Sequence, residues 1–427
     1  MDMTNNSSNP DSGKTPEQLC AERAKRFGDA VKLNKPDRVP LLMGFGYYLS
    51  ELGGVTHQAL YDEPGLQQQL LEKAALEFQP DMFMGAWHSP EMSKALGDQM
   101  TKWPGYGLGP EGSFQFNEKD FMKPEDYDAF LSDPSDWAIR TYLPRAFKEL
   151  EGLALLPPMG MAAWGYYGMF LGLPSLTIPP VVTALQALNN ATQAQMKWIG
   201  EQVQIAQHLA LVGFPPFTYL GSLIEAPFDF MSDTLRGMRG VFLDMLRIPE
   251  KLLAAEEKVL HFQLEYAIAT CRAMNNPYIF IPLHRGSDGF MSLPQFEKFY
   301  WPQLKAMILA LVDAGITPWV YYEGVWDDRL SYLAELPKGK TMGSFQSSDI
   351  FKVKEVLGET MCILGGMQNS MLKAGTVEQV REHTKKVCEV VGKDGGFIMC
   401  TGVMELENCK PELVKAWAEA TREFGVY

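Results

Sequence analysis

Tyr321 and Glu323 stand one residue apart at the end of the apolar run TPWVYY (317–322), with Gly324 directly after. Residues i and i+2 of an extended strand share a face, so the phenol and the carboxylate point together and Tyr322 points away. A carboxylate turned into an apolar cavity holds on to its proton unless a partner compensates its charge. Glu323 is therefore a candidate acid or, beside a nitrogen donor, a metal ligand; a rim glutamate bonded to a loop amide fits the same spacing. His284 closes a second apolar run, PYIFIPLH (277–284), and suits proton transfer or metal ligation, although a satisfied structural histidine is also compatible with that position. Glu323, Tyr321 and His284 are the catalytic candidates, and His284 with Glu323 the candidate metal pair.

Other chemistry-bearing residues follow further apolar runs. Tyr47 lies past GFG, and Trp87 and His88 past DMFMG. Trp164 and Tyr167 belong to a Met/Gly/aromatic stretch (159–172), and Gln368 and Asn369 follow a run near 361–364. These seven are candidate substrate-binding residues, with core packing as the plain alternative for the aromatics.

The elements that must position them read as strands alternating with helices. Eight strands are expected at 38–43, 81–85, 153–157, 277–284, 317–322, 341–345, 361–364 and 396–401. Most are apolar enough to be covered on both faces, the mark of a parallel sheet. Capping boxes at Ser292/Gln295 and Thr376/Gln379 start two of the helices between them. Eight strands in βα order favour a (β/α)8 TIM barrel, whose site lies at the C-terminal strand ends. On that reading residues 1–26 are a loosely ordered leader and 27–427 one domain. An insertion at about 214–242 separates the third and fourth strands.

Composition excludes several classes. The 427 residues carry a net charge of −14, which argues against nucleic-acid and anionic-membrane binders. No signal peptide or uninterrupted membrane-length apolar run is present, and six cysteines are scattered without CxxC spacing, so a reduced, cytoplasmic protein is expected. No GxGxxG or Walker motif follows any strand.

Six segments carry a family resemblance: KPDRVP (35–40), PFDFMSDTLRG (227–237), MSLPQFEKFYWPQLK (291–305), GGMQNSMLKAGTVEQV (365–380), GGFIMCTG (395–402) and FGVY (424–427). In order and type they resemble the uroporphyrinogen decarboxylase superfamily, and within it the corrinoid-dependent methyltransferase branch. The resemblance spans roughly 27–427. It implies the same barrel, a methyl transfer between a small substrate and the corrinoid of a partner protein, and a homodimer by analogy only. The decarboxylases hold a polycarboxylate with arginines after the first strand and an aspartate after the second; here those strands run into GFGYYLSELGG and GAWHSPE. The branch's zinc methyltransferases use a His-x-Cys after the fifth strand and a Cys after the eighth; here Tyr321, Glu323 and Val403 stand there. The thiolate set is missing, so a thiol methyl acceptor is not expected, and zinc would need His284, Glu323 and other oxygen donors. What fits Tyr-x-Glu is an acid that protonates the leaving group, as in O-demethylation of an aromatic methyl ether. Decarboxylation, with Arg285 and Arg236 as carboxylate clamp, and a non-catalytic tetrapyrrole- or corrinoid-binding module are the alternatives.

Overall fold

The computed structural model describes residues 13–85, 89–215 and 223–427. Seven strands lie in the main sheets: β1 (Leu42–Gly44), β2 (Met82–Met84), β3 (Tyr278–Leu283), β4 (Thr317–Tyr322), β5 (Met342–Phe345), β6 (Cys362–Met367) and β7 (Phe397–Thr401). β3 to β7 pair in sequence order, all parallel, and β1 pairs parallel with β2. A bridge between Leu41 and Met399 joins the two sheets through β7.

Alternation along each strand divides the apolar residues between two clusters. Leu42, Met82, Met84, Phe280, Trp319, Tyr321, Leu364, Ile398 and Cys400 pack together on the inner face. Met43, Phe83, Ile281, Val320, Tyr322, Ile363 and Met399 join the helices on the outer face. Strands buried on both faces explain why the apolar runs are continuous rather than alternating with polar residues. The helices between them start where the sequence offers caps: Ser292 with Gln295, and Thr376 with Gln379, form the expected reciprocal boxes. The helix after Ser292 passes through a π segment, Phe296–Tyr300, just before Pro302, which has no N–H to continue the regular ladder.

Three expectations are corrected. The run at 153–157 is not a strand. Leu153 lies in the 3-10 helix Lys148–Leu155, where it and Leu156 pack on Val181 and Ala184 of the long helix Pro179–Leu211. The neighbour of β3 on its other side is instead Leu223, paired parallel with Phe280, while the Ile224 amide donates to the Phe280 carbonyl at 3.1 Å. The segment 214–242 therefore supplies a sheet residue and the helices Pro227–Asp229 and Gly237–Arg247, rather than standing apart as an insertion. The expected leader also ends early. Thr15 and Gln18 cap a helix over Pro16–Val31, anchored by Arg26 to Asp37 and the buried Asp81. Among the described residues no single helix is long and apolar enough to cross a membrane.

Candidate functional site

A cavity of about 860 Å³ opens where the strands end. Its lining includes Tyr47 beyond β1, His284 and Arg285 beyond β3, Tyr321 and Glu323 from β4, Gln346 beyond β5, Asn369 beyond β6 and Glu405 beyond β7. One wall is aromatic, built by Tyr47, Tyr61, Trp103, Phe114, Phe280 and Tyr321. The Tyr47 and Tyr61 hydroxyls lie 2.9 Å apart, and Phe280 stacks on Tyr321.

Ionic groups line the same cavity: Glu225, Asp233, His284, Arg285 and Glu323. Asp229 and Asp233 sit four residues apart in PFDFMSDTLRG, and both are buried. Asp229 accepts from the backbone amides of His284 (2.9 Å) and Arg285 (3.0 Å) and from the Tyr300 hydroxyl (2.5 Å), pinning the chain as it leaves β3. Burial and the neighbouring Asp233 push the Asp229 carboxyl up to about 6. Asp233 takes a very short hydrogen bond from His284 Nδ1 and a 2.8 Å ion pair from Arg285. The other imidazole nitrogen, Nε2, faces Glu323 Oε1 at 3.7 Å. Burial works against a charged His284 ring, but the Asp233 hydrogen bond and the carboxylates of Asp229, Asp233 and Glu323 outweigh it and lift the ring to about 10. His284 is thus an imidazolium at neutral pH. Burial raises Glu323, against the pull of His284. Burial and Asp233 push Glu225 up to about 7, and its Oε2 is buried with no hydrogen-bond partner among the described residues.

Tyr321 lines the cavity as its spacing from Glu323 requires, but its hydroxyl donates to the Gly402 carbonyl at 3.0 Å, so its proton is committed there. Asn369 reaches the cavity while bridging Glu405 and Val403 through its amide. Gln368 is exposed at the start of the next helix and lies outside the lining. Trp164 and Tyr167 are 60% and 61% exposed and do not line the cavity either. Trp87 and His88 lie outside the described residues.

Two features bear on the alternatives. Arg236 is spent on Asp244, Asp120 and the Met122 carbonyl, and Arg285 on Asp233, Glu118 and Ser232. Neither cation offers a substrate carboxylate an unoccupied fork, and the clamp a decarboxylase would require is missing at these two residues. Glu225, Asp233 and His284 bring three donor atoms within 4.8 Å of one another, a set able to hold a divalent cation once His284 yields its proton. Sequence reasoning singled out His284 but missed Glu225, Asp229 and Asp233. The Asp-x-x-x-Asp spacing among the Phe, Met and Leu residues of PFDFMSDTLRG was the available signal for the two aspartates.

A family model described as uroporphyrinogen decarboxylase (URO-D) matches residues 153–424, well over half the chain. No curated protein matches the sequence. Among solved structures, a methyltransferase from Methanosarcina mazei aligns over 94% of this chain and 98% of its own, with a TM-score of 0.59 and 16% identity, a likeness of fold. The family and that likeness imply a TIM barrel, in keeping with the parallel strand order. On the extent of the family match, the chain belongs to the uroporphyrinogen decarboxylase family.

Proposed function

We propose that this protein moves a methyl group between a small substrate in the cavity and the corrinoid of a partner protein, within a (β/α)8 barrel in which Leu223, paired parallel with Phe280, stands beside β3. The observation that carries the reading is the meeting of Glu323, whose carboxyl burial pushes up, with the Nε2 edge of a charged imidazole, 3.7 Å apart, in a cavity that aromatic rings also line. An aromatic methyl ether suits such a cavity: the rings pack on the wall and the ether oxygen lies toward the acids. As the carbon–oxygen bond breaks, the methyl passes to the partner's cobalt(I), and Glu323 protonates the departing oxygen. Asp233 holds the ring nitrogen Nδ1, which keeps Nε2–H turned toward Glu323 and supports reprotonation. Tyr321 shapes the wall instead of sharing the proton.

Glu323→Gln keeps the size and removes the proton. Transfer from methoxylated aromatics to cob(I)alamin or a competent corrinoid protein should fall about 100-fold or more, with an unchanged circular dichroism spectrum. Turnover near wild type would refute the assignment.

The unpartnered Glu225 Oε2 favours a second reading, in which Glu225, Asp233 and His284, with Glu323 alongside, hold a divalent ion such as zinc. Bound there, the ion would supply Lewis acidity toward the leaving oxygen. Stoichiometric metal in the purified protein by mass spectrometry, lost in Glu225→Gln, would support it; metal-free protein with full activity would exclude it.

A further inference from the structure

Glu225 is held in the cavity by its backbone. Leu223 pairs with Phe280 of β3, and two residues on Glu225 lines the cavity with Phe280 and Pro282. The Gln263 carboxamide, from the helix Pro249–Ala273, clamps it there. Its oxygen accepts from the Glu225 amide at 2.9 Å, and its nitrogen donates to the Glu225 carbonyl at 2.9 Å. The Thr234 side chain hydrogen-bonds the carboxyl, and Oε2 is left buried with no partner among the described residues. A buried acceptor without a donor is destabilising, and beside a cavity it marks a place where a ligand's donor belongs. The charge around it points the same way. Among the described residues six carboxyl groups line the cavity, those of Glu118, Glu225, Asp233, Glu323, Glu405 and Glu407, against Arg285, Lys373 and the His284 ring. Arg285 and His284 are engaged with Glu118 and Asp233, and Lys373 is exposed. Aromatic rings supply much of the rest, Phe280 and Tyr321 among them, and ring faces attract cations.

We propose that the substrate is a cation, an aromatic methyl ether bearing an alkylammonium group whose N–H donates to Glu225 Oε2. The proposal rests on the methyl-transfer reading and names the substrate class of that site. An ammonium brings both what Oε2 lacks, a donor, and a positive charge among carboxyls that outnumber the cations of the lining. A charge-assisted bond of this kind is stronger than one between neutral groups. A hydroxyl supplies the donor without the charge. A carboxylate meets its own sign at Oε2, and the Arg285 fork beside it is already occupied. The ammonium takes no part in the chemistry: Glu323 keeps the ether oxygen, Glu225 holds the amine, and no bond to nitrogen forms or breaks. A divalent ion held by Glu225, Asp233 and His284 would compete for the same oxygen, so the two occupants exclude one another.

Titration calorimetry of the EDTA-treated full chain at neutral pH, without any corrinoid, tests the assignment. The ligands are para-methoxyphenethylamine, a cation; para-methoxyphenethyl alcohol, its neutral counterpart; and para-methoxyphenylpropanoate, an anion. The amine should bind about 10-fold tighter than the alcohol, and the anion more weakly than either. Glu225→Gln keeps the shape and should bring the amine and the alcohol within about threefold of each other. In the same variant para-ethylanisole, which has neither charge nor donor, should bind as it does to wild type, so the cavity is intact. An alcohol or propanoate that binds as tightly as the amine overturns the proposal, as does a preference for the amine that survives Glu225→Gln. The two readings fail separately. A Glu225-dependent preference for the amine without methyl transfer to a corrinoid protein upholds the cation site and refutes the transfer reading. Demethylation of neutral ethers with no preference for the amine does the reverse.

Discussion

Replacing Asp233 with Asn tests the electrostatic core of the site without reference to any substrate. The amide keeps the shape of the carboxylate but removes the charge that takes the His284 Nδ1 hydrogen bond. In the intact site the ring is lifted to about 10 from an ordinary value of 6.5. That difference corresponds to about 5 kcal/mol of preference for the charged ring. Asp229 and Glu323 remain in the variant and retain part of the lift, while burial pulls the ring down. The His284 midpoint should therefore fall by about two pH units or more, on the order of 3 kcal/mol. Nuclear magnetic resonance titration of histidine ring nitrogens follows it directly, and a His284→Gln sample identifies the signal among the six histidines. The sign of the stability effect is also fixed. A ring whose folded value is raised adds stability in full below its unfolded value near 6.5 and loses it as pH climbs through 10. Asp233→Asn should accordingly cost more stability at pH 6 than at pH 10. A wild-type His284 that titrates near 6.5, or a midpoint indifferent to the substitution, would refute the reasoning.

Tyr300→Phe should cost about 1.5–3 kcal/mol in thermal or urea denaturation, because its hydroxyl bonds the buried Asp229 carboxylate at 2.5 Å. The ring contacts with Phe228, Phe296 and Trp326 survive the change, so a loss within error would mean that the carboxylate does not depend on this donor. Glu225 and Asp229, pushed up to about 7 and about 6, hold protons in the folded chain that the unfolded chain releases. Their effect is to lower stability as pH rises from the ordinary carboxylate range to about 7, and Glu225→Gln should flatten the upper part of that slope in melting temperature against pH.

The strands after residue 277 were legible because each is a continuous apolar run bounded by a cap or a glycine, and all five lie within a residue or so of their expected starts. The 153–157 run misled because LALLP has a strand's composition but packs against a helix, a tertiary choice that composition cannot record. The leader was misjudged from its polar surface. Its helix is held by Arg26, whose partners Asp37 and Asp81 are distant in sequence. Trp164 and Tyr167 were assigned to the cavity as the loop after the expected third strand at 153–157, and they fall away from it because no strand is there to aim them.

The pairing of His284 with Glu323 follows from register. Leu283 lies opposite Tyr322 in the parallel β3–β4 pair, so the next residues, His284 and Glu323, leave the sheet side by side. The Glu323 amide donates to the Leu283 carbonyl at 3.3 Å, which continues the ladder one step past the strands. Consecutive strands in a βα fold are usually neighbours, so this adjacency could be argued from the two apolar runs and their ends. What could not be argued is the charge of the imidazole. That depends on Asp229 and Asp233, which reach the ring from a helix more than fifty residues earlier in the chain. The strands bring a carboxyl and an imidazole together, and the helix decides that the imidazole is charged. Against a neutral ring, burial alone would act on Glu323; the imidazolium pinned by Asp233 pulls its carboxyl back down and itself carries a proton beside it.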